Sequence, residues 1–150
     1  MRLIVACDPN GGIGYQNKLP WSKIQGDLPR FKKLTTNGTV VMGRNTWDSL
    51  PKRPLANRVN VIVTSLPFNN LPADTHIVSA PEDAPADSWV IGGAKLIKSS
   101  WHLINEVHLS RTCSEYTCDT FIDLVKLEQE FWCVNVEKHP DHTYEIWRRK

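Results

Sequence analysis

Near-continuous apolar runs punctuate this chain and alternate with polar, glycine-bearing stretches. Runs rich in Val and Ile, such as Leu3-Ile4-Val5-Ala6-Cys7, are what strands buried on both faces look like. They predict strands over Leu3–Cys7, Thr39–Met42, Val59–Thr64, His76–Ser79, Trp89–Ile91 and Glu106–Arg111. Two further runs, Phe131–Lys138 and Thr143–Arg148, flank a turn and predict an antiparallel hairpin at a sheet edge. Helices are expected over Asp27–Thr36, Arg44–Leu50 and Ala94–Ser100, whereas Pro81 and Pro85 leave little room for one before Trp89. The pattern predicts an α/β fold: a single domain over residues 1–150 with a central, mostly parallel, mixed eight-stranded sheet flanked by helices.

Two strand-to-helix junctions carry candidate chemistry. In Val41-Met42-Gly43-Arg44-Asn45-Thr46 and in Ile91-Gly92-Gly93-Ala94-Lys95-Leu96, an apolar run stops at glycine and a polar, helix-capable segment follows. Glycine lets a backbone approach a ligand closely, and the N–H groups of a starting helix point at it. With a cation at each junction, Arg44 and Lys95, the pair suits an extended phosphate-bearing cofactor; each alone also reads as a tight turn. Two common nucleotide motifs fail. Gly12-Ile13-Gly14 lacks the last glycine of the dinucleotide fingerprint, and Gly38 to Asn45 has phosphate-loop spacing without its Lys and Ser/Thr.

The stretch from Asp8 to Gln25 shows no regular period, and long structureless loops in compact domains are usually lids or binding loops. Trp21 argues against an idle connector. Asp27 follows, ahead of Leu28, Phe31 and Leu34 at helical spacing. Such an acid either caps a helix or stands as a carboxylate in an apolar pocket, where it binds an amidine-like group by two parallel hydrogen bonds.

Composition narrows the field. Net charge is +2, with both signs interspersed, so no nucleic-acid footprint is evident. The opening apolar run is too short for a signal-peptide core or a membrane span, so a cytoplasmic location and no membrane partner are expected. The four cysteines, Cys7, Cys113, Cys118 and Cys133, have no metal or disulfide spacing and read as free thiols. His139-Pro140-Asp141-His142 reads as a hairpin turn rather than a metal pair, and no metal site is expected.

In order, Ile13-Gly14, Leu19-Pro20-Trp21, Asp27-Leu28 with Phe31-Lys32, Val41 to Trp47, Arg58, Thr64-Ser65, Ile91-Gly92-Gly93 and Asp119-Thr120-Phe121 resemble the motifs of dihydrofolate reductases, nearly end to end. The resemblance implies hydride transfer from NADPH to 7,8-dihydrofolate, with protonation of the adjacent ring nitrogen, by a monomeric enzyme of one-carbon metabolism. It implies that Asp27, Trp21 and Leu19 serve catalysis. Ile4, Val5, Ala6, Leu28, Lys32 and Ile91 would border the pterin with Asp27, whose supporting hydroxyl is Ser110 rather than Thr112. Phe31, Leu50 and Leu55 would form the aminobenzoyl slot, and Arg58 would hold the glutamate carboxylate. For the cofactor, Arg44, Thr64 and Ser65 would recognise the 2′-phosphate. Gly43, Asn45, Thr46 and the amides of Gly93, Ala94, Lys95 and Leu96 would hold the pyrophosphate, with a cis bond between Gly92 and Gly93. Ala6, Ile13, Gly14, Leu19 and Ile91 would pack around the nicotinamide.

Ile97, Cys118 and Asp123 depart from residues common in the family, and the stretch before Trp89 is short. Two other readings stand beside this one. An NADPH-dependent ribosylamino-pyrimidine reductase on the same fold is disfavoured by the Trp21 and Asp27 pair. A non-catalytic nucleotide-binding structural protein is disfavoured by retention of Asp27 and the glycine pair.

Overall fold

The computed structural model describes residues 1–150, and its frame is a sheet built from the apolar runs. In chain order the strands are β1 (Arg2–Cys7), β2 (Gly12–Gly14), β3 (Thr39–Gly43), β4 (Val59–Val63), β5 (Thr75–Val78), β6 (Trp89–Gly92), β7 (Glu106–Thr112), β8 (Thr120–Phe121), β9 (Phe131–Lys138) and β10 (His142–Arg149). The helices are α1 (Asp27–Thr35), α2 (Arg44–Ser49), α3 (Ala94–Ser100) and α4 (Leu124–Glu130). Eight strands form one sheet in the order β5-β4-β3-β6-β1-β7-β10-β9. Its first six members run parallel, and β10 is antiparallel to both β7 and β9.

This order creates a crevice. From β3 the chain moves outward through α2 to β4, whereas from β6 it moves the other way through α3 to β7 on the far side of β1. Right-handed crossovers in opposite directions place α2 and α3 on opposite faces, and the carboxyl ends of β3 and β6 open between them. Strand alternation sorts the core accordingly. Leu3, Val41, Val61, Val90, Val107 and Leu109 face a large cluster of 16 buried residues that includes Leu96 and Ile97 of α3. Val40, Met42, Ile62 and Trp89 face a smaller cluster of five with Trp47 of α2, against which Ile4, Leu34, Leu50, Leu55 and Ile91 pack only partly buried.

The expected strands and helices are present to within a residue or two at their ends; two strands and one α-helix are additional, as are two single 3₁₀ turns, Pro81–Asp83 and Trp101–Leu103. Helix α4 is capped by Asp123, whose carboxylate accepts from the Lys126 amide at 3.0 Å. Strands β2 and β8 form a small antiparallel pair of their own. The Asp8–Gln25 stretch is therefore not structureless, which corrects that expectation. Beyond β2 it contains a tight hairpin in which Tyr15 and Lys18 exchange backbone hydrogen bonds. Gln16 and Asn17 at its tip have φ of 50° and 63°, the left-handed pair that a two-residue hairpin turn demands. Its end carries the buried Trp21 and Ile24.

Candidate active site

The segment entering α1 turns on Gly26, whose φ of 82° lies in the left-handed region, so Asp27 becomes the first helical residue rather than the cap. No backbone amide of the helix donates to its side chain. Instead Asp27 Oδ1 accepts a 2.6 Å hydrogen bond from Ser110 Oγ on β7, while Oδ2 accepts none within the chain. The cap alternative is thereby excluded, and the carboxylate is presented at the edge of the smaller core cluster, 27 % exposed. Thr112 is turned elsewhere, its hydroxyl donating to the Ser114 carbonyl at 2.9 Å.

The face of the sheet that carries Ser110 is only partly covered. Ile4, Leu50, Leu55 and Ile91 are half-buried against the smaller cluster, and Phe31 is half-buried on α1. Leu28 and Leu19 are 70 % and 65 % exposed. Trp21 is buried, edge-on to the Tyr116 ring with centroids 5.6 Å apart. Ala6 lies half-buried in register with Ser110, but the Val5 side chain packs against the large cluster on the other face, so only its backbone borders this region. Lys32 is exposed on α1. Arg58 donates from Nε to Ala56 O at 2.9 Å and from Nη1 to Thr35 Oγ1 at 3.1 Å, leaving Nη2 unengaged. Burial alone holds the Arg58 guanidinium below the ordinary arginine pKa.

The crevice brings both glycine junctions together. A Cβ on Gly43 would stand 3.9 Å from the Gly93 amide nitrogen, and Cβ atoms on Gly92 and Gly93 would stand 3.5 and 3.6 Å from Thr46 Oγ1. The Gly92–Gly93 peptide is cis, as the resemblance implied. Neither α2 nor α3 has a side-chain cap, so their first amides face the crevice unclaimed by any cap residue. Those amides, with Arg44 alongside, fit the charge and length of a dinucleotide diphosphate. Asn45, Lys95 and Ser65 are exposed, Ala94 and Thr64 half-buried, and the Leu96 side chain is committed to the large cluster. Ile13 packs partly buried on that cluster, and Gly14 pairs with Thr120.

Arg44 donates to Asp48 Oδ1 at 3.2 Å and lies 3.9 Å over the Phe68 ring. It lines a cleft of about 430 Å³ with Trp47, Asp48, Arg53, Phe68 and Asn69 among others, a wall to which Thr64 and Ser65 do not contribute. Arg53 and Phe68 were not anticipated from the sequence. Neither was Arg30, whose Nη1 donates to Ser110 Oγ at 3.2 Å; its i+3 spacing from Asp27 was the available signal.

The crevice between the two glycine junctions suits a phosphate-bearing ligand, and the half-buried Asp27 carboxylate suits a basic one. A family profile described as dihydrofolate reductase matches residues 1–147, and the chain belongs to that family. The chain is 34 % identical to dihydrofolate reductase type 8 of Escherichia coli, covering 100 % of this chain and 96 % of that protein. It is 36 % identical to the dihydrofolate reductase of Bacillus subtilis (strain 168) over 77 % of this chain and 71 % of that protein. With the viral dihydrofolate reductase of Saimiriine herpesvirus 2 (strain 488) the identity is 28 %, over 97 % and 78 % respectively. No helix is long and apolar enough to cross a membrane.

Proposed function

We propose that this chain reduces 7,8-dihydrofolate to 5,6,7,8-tetrahydrofolate with NADPH, as a single-domain cytoplasmic monomer. The observation that carries this reading is the Asp27 carboxylate, held through Oδ1 by Ser110 and open at Oδ2, on the face of the sheet where Ile4, Leu50, Leu55 and Ile91 are only partly buried. Two parallel hydrogen bonds from a 2-amino and ring N–H edge match a carboxylate in this position. Its negative charge favours protonation of the bound ring system, which makes the adjacent carbon a better hydride acceptor. When bound, the reduced nicotinamide supplies that hydride.

The chain's own residues orient and dry the site. Ile4, Ala6, Ile91, Leu28 and Lys32 border the pterin together with the Val5 backbone. Phe31, Leu50 and Leu55 receive the aminobenzoyl ring, and Arg58 offers its free Nη2 to the glutamate carboxylate. Leu19 and Trp21, on either side of Pro20, exclude water from the reacting edge. Gly43, Arg44, Asn45, Thr46, Gly92, Gly93, Ala94, Lys95 and Leu96 hold the pyrophosphate side, Thr64 and Ser65 join Arg44 at the 2′-phosphate, and Ile13 and Gly14 border the nicotinamide. The test is direct: NADPH absorbance is followed after dihydrofolate is added to purified protein. Dihydrofolate-dependent loss is expected, and its absence from folded protein overturns the reading.

A further inference from the structure

One turn along α1 from Asp27, Arg30 is fixed from several sides in a way that the proposed chemistry has not yet used. Its Nη1 lies 3.2 Å from Ser110 Oγ and 3.9 Å from Asp27 Oδ1. Its guanidinium carbon sits 4.2 Å over the Tyr144 ring of β10. Its Nη2 donates to His142 Nε2 at 3.2 Å and lies 3.3 Å from His139 Nε2, the two rings being stacked 4.5 Å apart and 5° from parallel. Arginine only donates, so His142 must accept through an unprotonated Nε2 and carry its proton on Nδ1. That proton is met by Asp141 Oδ1 at 2.7 Å, and Asp141 Oδ2 accepts the Gln25 amide at 2.9 Å. His139 Nε2 carries a proton of its own and gives it to Glu137 Oε1 at 2.6 Å, so it is a neighbour of Arg30 and not its acceptor.

We propose that Arg30 is a positioning residue for the Asp27 carboxylate, orienting Ser110 toward it and holding a fixed positive charge beside Oδ1. The inference rests on the reductase reading above. A serine hydroxyl has one proton to give; with Arg30 donating into its oxygen, that proton goes to Asp27. Oδ1 is thereby engaged from one side, and Oδ2 is left for the substrate. The same cation opposes protonation anywhere near Oδ1, so it sets how far into the alkaline range the loaded enzyme keeps its proton.

The charged and titratable groups facing Arg30 are few. Asp27 lies on its own helix, His142 and Tyr144 on β10, Glu137 on β9, and His139 and Asp141 in the turn between those strands. Burial pushes the Tyr144 phenol up, so it stays neutral through the working range. Its hydroxyl meets His108, which burial holds below the ordinary histidine range despite Glu106 at 3.3 Å.

The experiment compares pH–rate profiles and KM for dihydrofolate in wild type, Arg30→Met and Arg30→Lys, each checked for folding by circular dichroism. Removing an opposite charge at this distance moves the alkaline midpoint of Arg30→Met up by about one pH unit. Loss of Ser110 orientation raises its KM about tenfold, the worth of one hydrogen bond to a charged group. Arg30→Lys keeps the charge without the fork, so its midpoint stays near wild type while KM still rises. A midpoint in Arg30→Met that coincides with wild type overturns the proposal, even with a uniform loss of rate, since a merely structural role would give that result. Should Arg30→Met not fold, an unchanged KM in Arg30→Lys overturns it. Absence of wild-type turnover instead refutes the reductase reading, and the proposal with it.

Discussion

Replacing Asp8 with alanine removes a carboxylate that is 1 % exposed and serves three backbone amides at once. Its Oδ1 accepts from Asn10 at 2.9 Å and Gly12 at 2.8 Å, and its Oδ2 from Tyr116 at 3.1 Å. These bonds tie the segment leading to β2 to the segment leading to β8, the two sides of the loop that closes over Trp21. After truncation the Gly12 amide is buried without a partner, a loss of about 2 kcal/mol, and the two part-buried amides lose about 1 kcal/mol each before water partly compensates. The expected cost is therefore about 3–4 kcal/mol, a large share of the roughly 5–15 kcal/mol by which domains are stable. For a chain of this size that is a drop in Tm of about 10 °C. Asp8→Asn keeps the Oδ1 acceptor but sets an amide group against the Tyr116 N–H, so about 1–2 kcal/mol is expected. Urea unfolding followed by tryptophan fluorescence measures both, and hydrogen exchange over Gly12–Gly14 and Thr120–Phe121 localises the loss. An Asp8→Ala cost below about 1 kcal/mol would show that the loop is held by something else.

Asp27→Asn should fold with near-normal stability, because the carboxylate caps nothing, yet lose orders of magnitude in hydride transfer at neutral pH, with the residual rate rising as pH falls. Near-normal turnover at neutral pH would make Asp27 structural only. Arg44→Leu should weaken NADPH binding far more than NADH binding, read by titration with each, and equal losses would remove Arg44 from the 2′-phosphate. Saturating NADPH with a folate analogue should slow amide exchange across Asp8–Gln25; an unchanged pattern argues against a lid. Burial pushes the Cys7 thiol up from 9.0 to about 12, the first cause being desolvation. The unfolded thiol therefore ionises first, so its contribution to stability is complete below about pH 9 and is lost as pH rises toward 12. In native protein the exposed Cys113 and Cys133 should react with a thiol reagent and Cys7 should not; rapid native labelling of Cys7 would refute its burial.

Most of the sheet was legible because Val- and Ile-rich runs can be buried only in one way. Strands β2 and β8 were not, since two or three residues carry no run and are held by side chains: Asp8 on one side, and Asp119 Oδ2 accepting the Gln16 amide at 2.9 Å on the other. Helix α4 went unread because it is only seven residues long; its signals were the Asp123 cap and Leu124, Leu127 and Phe131 at i, i+3 and i+7, the face it buries. Cys118 explains a different silence. Its sulfur would lie 2.3 Å from a Cβ on Gly12, so that glycine answers a packing need visible only in three dimensions. The His139–His142 segment was readable as a turn, but its partner Arg30 lies 109 and 112 positions away, and no local pattern reports that distance.

Why the site lies where it does follows from how unevenly the two faces of the sheet are filled. Along β1, Leu3 and Cys7 enter a cluster of 16 buried residues, whereas Ile4 enters one of only five. The large face is closed by Leu96 and Ile97 of α3, Leu127 of α4 and Trp101. The small face has Trp47 from the six-residue α2 and the partly buried Leu34 from α1. Ile4, Leu50, Leu55 and Ile91 are left half-covered where helix packing stops, and Asp27 stands at that boundary on the first turn of α1. On the proposed reading, a planar ligand with an apolar body and a basic edge would complete this face as a missing core residue would, its body on the aliphatic side chains and its edge on the carboxylate. Apolar burial supplies affinity there without direction, and the single carboxylate supplies direction. Any ligand that fills the face also stabilises the fold, because it binds the folded chain alone. Packing the slot with larger side chains would strengthen the same face by removing the reason for it.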